Sequence, residues 1–392
     1  MLFLHTALLI ASVLPVAACV YLFLLTLLSA RENPAPAAPG CSLRFDIVIP
    51  AHNEGAVIAR TLASMSTITW PSSHYRVIVV ADNCTDDTAD IARASGALVW
   101  ERNDPAHRGK GYALAHAFEQ CRREAVADAV IVVDADSDVT PNLLQAFAAR
   151  IARGAAVIQA AHGIRNARSS WRSALTAIAY GAFHFLRSRA RERLQVSCGL
   201  RGNGMCFALP FLQQFPYRAY SLAEDVEYGI ELGLQGVRVW YVDEGGVAAE
   251  AADNPAAAGR QRQRWEGGRR ALLKQYGLAL GRAAVREHSA ICLDLLLDLL
   301  IPPLSQLVVW LAVLSACATV ASAWLPGFLP WLGIYAACFT SIALYVFRGW
   351  QLSGTGLFGL RALLRAPVFV IWKLYARLVN RKTSQWIRTD RN

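Results

Sequence analysis

The first thirty residues carry no Lys, Arg, Asp or Glu, and the run from Leu2 to Leu28 constrains this chain more than any other stretch. At 1.5 Å per residue the run is long enough to cross a hydrocarbon core of about 30 Å. Backbone placed in lipid must satisfy its own polar groups, so an isolated segment of this kind has to be a helix. A cleaved signal peptide is the competing reading, because Val16-Ala17-Ala18-Cys19 has the look of a lipoprotein processing site. The lack of Lys or Arg ahead of the run, and its continuation through Tyr21-Leu22-Phe23-Leu24-Leu25, favour a retained transmembrane helix over residues 1–30.

The chain is 55% apolar, high for a soluble protein, and the excess lies at its ends. A Pro- and Ala-rich linker, 31–44, follows the first helix. Two more spans are expected within 291–350, near Leu295 to Ala323 and Phe328 to Phe347, joined by Trp324-Leu325-Pro326-Gly327. Asp294, Asp298, Pro302 and Pro303 predict a kinked entry that faces protein rather than lipid. Within 267–290, Arg269, Arg270, Lys274 and Arg282 oppose Leu272, Leu273, Tyr276 and Leu280, as in a helix lying in the interface plane. A second interfacial helix, Leu357 to Val379, and a basic tail are expected in 351–392. The formal charge of +10 would suit nucleic acid or anionic lipid. Arg348, Arg361, Arg365, Lys373, Arg377, Arg381 and Lys382 flank apolar segments, which favours membrane lipids, and no nucleic-acid partner is expected. The same charge bias puts the soluble part and the C-terminus in the cytoplasm. Nine scattered cysteines without CxxC spacing indicate neither a zinc site nor a disulfide framework.

Between the apolar ends, strand and helix alternate. Phe45 to Ile49 reads as a strand ended by Pro50, with Ala51-His52-Asn53-Glu54 leading into a helix through Met65. Tyr75 to Ala81 is a second strand ending on Asp82, and Thr85 is expected to cap a helix that Gly96 stops. Ala97 to Trp100 is a third, followed by Arg108-Gly109-Lys110-Gly111 and a helix to about Arg123. The fourth, Val130 to Val133, ends abruptly on Asp134. This order predicts an α/β fold with a parallel, Rossmann-like sheet and right-handed crossovers. Ligands bind such sheets at the carboxyl ends of the strands, where Glu54, Asp82, Asp134 and Asp136 collect. Asp134 and Asp136 can converge on a hard cation carrying a diphosphate, although Asp caps of an ordinary turn have the same spacing. Neither a GxGxxG after a strand nor a Walker sequence is present, which argues against a dehydrogenase or a P-loop ATPase.

Further on, Ala155 to Gln159 reads as a strand. Trp171 to Gln195 reads as a long helix that lies against substrate or membrane, or serves as a plain amphipathic core helix. Gly199 to Met205 is a glycine-rich turn, with Gly202 and Asn203, where backbone can approach a ligand. Glu224-Asp225 places acid at a helix N-terminus, and Val237 to Val242 is another strand. Gln261, Arg264 and Trp265 share a helical face; Arg suits a diphosphate and Trp the apolar face of a sugar, while a surface helix with a buried Trp fits the spacing equally.

Taken in order, Pro50-Ala51-His52-Asn53-Glu54, Asp82, Arg108-Gly109-Lys110-Gly111, Asp134-Ala135-Asp136, Glu224-Asp225 and Gln261-Arg262-Gln263-Arg264-Trp265 resemble the membrane-bound family 2 glycosyltransferases, from about Phe45 to Trp265. That group of inverting enzymes includes the cellulose, chitin and hyaluronan synthases and the ceramide glucosyltransferases. The resemblance implies a cytosolic GT-A glycosyltransferase domain, 45–266, flanked by N- and C-terminal transmembrane helices in a bacterial inner membrane. It implies a nucleotide-sugar donor, such as a UDP-sugar, contacted by Pro50, Ala51, Glu54, Asp82 and Lys110. Asp134 would touch the nucleoside or the metal, and Asp136 a Mg²⁺ or Mn²⁺ ion on the diphosphate. Asp225, with Glu224 beside it, would be the catalytic base. Gln261 and Arg264 would hold the leaving diphosphate, and Trp265, Gly202 and Asn203 the acceptor. The expected function is growth of a polysaccharide at the cytoplasmic face, with single addition to a lipid as the alternative and an inactive scaffold as a remote one; a homo-oligomer or an export partner stays open. Two departures stand out: Ala81-Asp82 replaces the common Asp-Asp pair, and three spans are fewer than the polymer synthases carry.

Overall fold

The computed structural model describes residues 2–31, 42–251 and 255–368, with the side chains of 2, 255–258, 260–265 and 326 outside that description. Most of the expected linker, the basic tail and the second half of the last interfacial helix also lie outside it. The helices are α1 (Leu2–Leu27), α2 (Gly55–Met65), α3 (Thr88–Ala94), α4 (Lys110–Glu124), α5 (Leu143–Ile151), α6 (Trp171–Tyr180), α7 (Arg187–Arg193), α8 (Leu209–Gln214), α9 (Glu224–Leu234), α10 (Pro255–Arg286), α11 (Ala290–Leu300), α12 (Leu304–Trp324), α13 (Leu329–Leu352) and α14 (Gly356–Leu363). A π-helical segment, Gly181–Leu186, joins α6 to α7 without a break.

Among the described residues the strands are β1 (Phe45–Ala51), β2 (Tyr75–Asp82), β3 (Leu98–Arg102), β4 (Ala129–Val132), β5 (Asp138–Val139), β6 (Val157–Ile164), β7 (Met205–Ala208) and β8 (Val239–Ala249). They form one sheet in the order β3-β2-β1-β4-β7-β6-β8-β5. The first four are parallel, as the βα alternation predicts. The sheet as a whole is mixed, because β7 runs antiparallel to β4 and β6, and β5 antiparallel to β8. Neither exception is the parallel second strand of a βαβ unit: β5 follows the turn after β4, and β7 follows α7 and the glycine-rich loop. Side chains alternate across the pleat: Ile47 and Ile49 pack with Leu143 and Phe147 on one face, while Val48 packs with Leu114, Phe118 and Tyr228 on the other.

Among the described residues three helices are long and apolar enough to cross a membrane: Phe3–Leu27, Leu304–Trp324 and Leu329–Leu352. Leu22, Leu311 and Tyr335 share a core with Ala182, Leu186 and Ala190 of the α6–α7 segment. Gly181 lies so close to α13 that a Cβ would strike the Gly349 carbonyl. Pro302 and Pro303 interrupt the chain between α11 and α12, as expected, and Asp294 and Asp298 are buried in protein contacts.

Three expectations change. The helix after β2 begins at Thr88 with Asp87 at its cap, because Thr85 is spent on Asn53: the Thr85 N–H donates to Asn53 Oδ1 at 2.7 Å. Strand β6 continues to Ile164 rather than ending at Gln159, since β8 pairs along its whole length. The segment carrying Gln261 to Trp265 and the expected interfacial helix form one continuous helix of 32 residues, α10.

Candidate functional site

The carboxyl ends of β1, β2 and β4 lie side by side because the strands are parallel. Beyond β4 the chain turns sharply through Asp134 and Asp136, and this turn is braced from two directions. Thr61 Oγ1 of α2 donates to the Ala135 carbonyl at 2.7 Å. Asn203 accepts from the Asp134 N–H at 3.1 Å and donates to Ser137 Oγ at 2.8 Å. Asn203 is fully buried, so its amide braces the Asp134-Asp136 turn and is not displayed to an acceptor, contrary to expectation. Gln159, also buried, fixes the glycine-rich loop: its amide donates to the Asn203 carbonyl at 2.7 Å and its oxygen accepts from the Arg201 N–H at 2.8 Å. A polar residue inside the apolar run Ala155 to Ala161 was the available signal for it.

Lys110 opens α4 behind Gly109, whose φ of 130° only glycine tolerates readily. Its ammonium pairs with Asp134 and donates to the Gly202 carbonyl at 2.5 Å. Gly202 has a φ of 77°, and a Cβ there would stand 3.2 Å from Asp225 Oδ2 and 3.5 Å from Lys110 Nζ. Four separate stretches thus bring Lys110, Asp134, Gly202 and Asp225 to one place. Asp225 sits in the first turn of α9 beside Glu224. Burial pushes its carboxyl above the ordinary value, against the pull of the Val226 N–H, Lys110 and Arg201. Burial opposes the charge on Lys110, but Asp134, Glu224 and Asp225 outweigh it and hold the ammonium above its ordinary pKa. Behind the turn, burial holds His162 down at about 4, so its ring is neutral at physiological pH.

A second group gathers at the end of β2. Asp82 is buried and accepts from Arg102 Nη1 at 2.6 Å and Asn83 Nδ2 at 3.0 Å. Arg102 also donates to Asp104 Oδ2 and the His107 carbonyl, both at 2.9 Å. Sequence reasoning missed Arg102 because it ended the third strand two residues early. His52 Nδ1 lies 2.7 Å from the Asp82 carbonyl oxygen. Pro50 and Ala51 are the last residues of β1, and Glu54 precedes α2 with its N–H donating to Thr88 Oγ1 at 2.8 Å.

Among the described residues no cluster of three or more His, Cys, Asp or Glu could hold a metal ion. The turn after β4 offers two carboxylates, Asp134 and Asp136, of which Asp134 already serves Lys110. That donor set fits a Mg²⁺-like ion, which binds through one or two carboxylates when substrate phosphates and water complete its shell. The backbone of α10 carries Gln261, Arg264 and Trp265, whose side chains lie outside the described residues.

The profile of the glycosyltransferase-like family 2 matches residues 43–268. A beta-monoglucosyldiacylglycerol synthase of Nostoc sp. is 27% identical over 249 residues, 61% of this chain and 52% of that protein. A low-salt glycan biosynthesis hexosyltransferase of Haloferax volcanii is 34% identical over 118 residues, 30% of this chain and 26% of that protein. The chain thus spans from a quarter to about half the length of these curated relatives. Among solved structures, a mannosyltransferase of Pyrobaculum calidifontis in complex with GDP-Man and Mn²⁺ has a TM-score of 0.56 at 16% identity, covering 86% of this chain and 96% of that one, a likeness of fold.

Proposed function

This chain belongs to the glycosyltransferase-like family 2, and from that premise we propose that it transfers a sugar, with inversion, from a nucleotide-sugar donor to a lipid acceptor at the membrane surface. The observation that carries the reading is the meeting of Lys110, Asp134, Gly202 and Asp225 at the ends of the parallel strands, in a domain whose α6–α7 segment packs on α13. The acceptor oxygen attacks the anomeric carbon opposite the diphosphate, and Asp225 takes its proton. A carboxyl whose pKa lies above the ordinary value is a stronger base once ionised. The bond to the diphosphate oxygen breaks, and Lys110, with Arg264 and Gln261, is positioned in sequence to receive the charge that develops there. A divalent cation held by Asp136 and Asp134 would supply further stabilisation of that charge. Asp82 with Arg102, and the Pro50-Ala51-His52-Asn53-Glu54 segment, would form the nucleoside side of the site. Trp265 and Gly202 would border the acceptor.

The lipid acceptor is supported by three apolar helices packed against the α6–α7 segment, and by a relative named as a beta-monoglucosyldiacylglycerol synthase. Cytoplasmic placement of the catalytic part follows from Arg31 after the first span and Arg348 in the last. Growth of a polysaccharide rests on the motif resemblance alone, and product size separates the two. The test is purified protein in detergent with a panel of nucleotide sugars, Mg²⁺ or Mn²⁺, and membrane lipid extract. One-sugar products that appear only with lipid support the reading. Long products without lipid would replace it with polymer synthesis, and no nucleoside diphosphate release under any condition would remove it.

A further inference from the structure

Arg201 lies in the glycine-rich loop between α7 and β7, and the reaction outlined above gives it no part. One of its guanidinium nitrogens, Nη2, donates to the Cys198 carbonyl at 3.0 Å, while Nε is buried without a partner. Among the described residues no carboxylate forms an ion pair with it: Asp225 feels its charge without pairing, and the two acids of α11 are engaged by other arginines. Asp298 receives Arg187 at 2.9 Å, Arg191 at 2.7 Å and Arg269 at 3.2 Å. Asp294 receives Arg191 at 2.9 Å and the Tyr21 hydroxyl at 2.6 Å. Asp298 favours the Arg201 charge from beyond pairing distance, and the group in direct contact with the guanidinium carbon is the face of Phe183, at 4.1 Å, with Arg187 and Arg269 around the same ring at 5.0 and 5.9 Å. An aromatic face stabilises a cation but leaves the N–H groups on its edge without acceptors. Burial lowers the Arg201 pKa to about 10, which still leaves it charged at neutral pH.

Its surroundings say what an anion here would meet. On one side, the neighbouring Gly202 touches Asp225 and Lys110. On the other, Phe183 belongs to the π-helical segment whose Gly181 is packed on α13. Such π-helical segments recur at functional sites, because the extra residue re-aims side chains. Arg201 therefore stands between the proposed base and a membrane helix.

We infer that Arg201 is the anion-binding residue of an acceptor subsite, so that the acceptor is a lipid bearing a phosphate or carboxylate close to its attacking oxygen. The inference rests on the transfer reaction proposed above and adds the charge class of its acceptor. The planar guanidinium edge offers parallel N–H groups that match either anion. Bonds made and broken are those already given: acceptor oxygen to anomeric carbon, anomeric carbon from diphosphate, and a hydroxyl proton to Asp225.

The experiment uses the full chain in nanodiscs and reads binding without donor turnover, with short-chain phosphatidic acid, a fatty acid and diacylglycerol as probes. Wild type, Arg201→Gln and Arg201→Lys are compared, and UDP and GDP affinities with Mn²⁺ are measured in parallel. Wild type is expected to prefer a charged probe over diacylglycerol by about tenfold, the scale of one charge-assisted hydrogen bond. The phosphate and carboxylate arms tell which anion it is. Arg201→Gln should lose the preference, Arg201→Lys keep part of it, and both should bind nucleotide as wild type does. Equal binding of charged and neutral probes by wild type overturns the inference and needs no variant. Loss of UDP and GDP affinity in Arg201→Gln also overturns it, by assigning Arg201 to the leaving diphosphate. Lipid preference without sugar transfer from any donor would instead overturn the transfer reaction and leave the anion site standing.

Discussion

Asp225 is the residue on which the chemistry turns. Asp225→Asn keeps shape and removes the basic oxygen, so turnover should fall by about 10²–10⁴-fold, with UDP or GDP affinity nearly unchanged in a titration of the purified protein. Because its ionised form is the active one and burial raises its pKa, activity should fall with decreasing pH at a higher pH than for an ordinary carboxylate. Lys110 pulls that pKa down, so Lys110→Met should move the acid limb of the kcat/KM profile to still higher pH. Asp136→Ala should weaken nucleotide binding only when Mg²⁺ or Mn²⁺ is present, which calorimetry with and without chelator will show. Asp134, Asp136 and Asp82 were legible because each follows an apolar strand and ends it. Arg102 was not, because it lies two residues beyond the apolar stretch of the third strand, and Gln159 and Arg201 were not, because their meaning comes from partners far along the chain. Arg201 becomes notable only when Asp298 is found to be occupied by other arginines and Phe183 is found beneath it.

At the scale of elements, α11 is the joint between the sheet-bearing part and the apolar helices. Burial alone would raise the pKa of Asp298, but Arg191, Arg269 and Arg187 outweigh it and hold the carboxyl well below its ordinary range. Its stabilising effect is therefore present above the unfolded carboxylate pKa of about 3.9 and is lost as pH falls through the lower folded value. Asp298→Asn strips the partner from buried arginines and should cost about 3–5 kcal/mol, read as a lower Tm in detergent. The kink before α12 was legible from paired prolines in an apolar run, and the parallel strands from their βα alternation. The antiparallel β7 was not, since four residues inside a glycine-rich turn carry too little periodicity to set a direction. The unity of α10 was equally hidden, because a change from motif to amphipathic pattern leaves the backbone helix uninterrupted.

At the scale of the molecule, three apolar helices and one mixed sheet are held together by close backbone approach as well as charge. At Gly181 and Gly349 the π-helical segment and α13 meet backbone to backbone, with no side chain between them. Asp225 is then linked to α13 through Gly202 and Arg201 of the glycine-rich loop and Phe183 of the π-helical segment. An acceptor with an alkyl tail could present its head group there without withdrawing the tail from lipid. Encounter would then occur in two dimensions: turnover at fixed total acceptor should fall as inert phospholipid is added, following the acceptor's mole fraction in the bilayer rather than its amount per volume. For such a chain the relevant substrate concentration is a surface density, and membrane area itself becomes a regulator of rate.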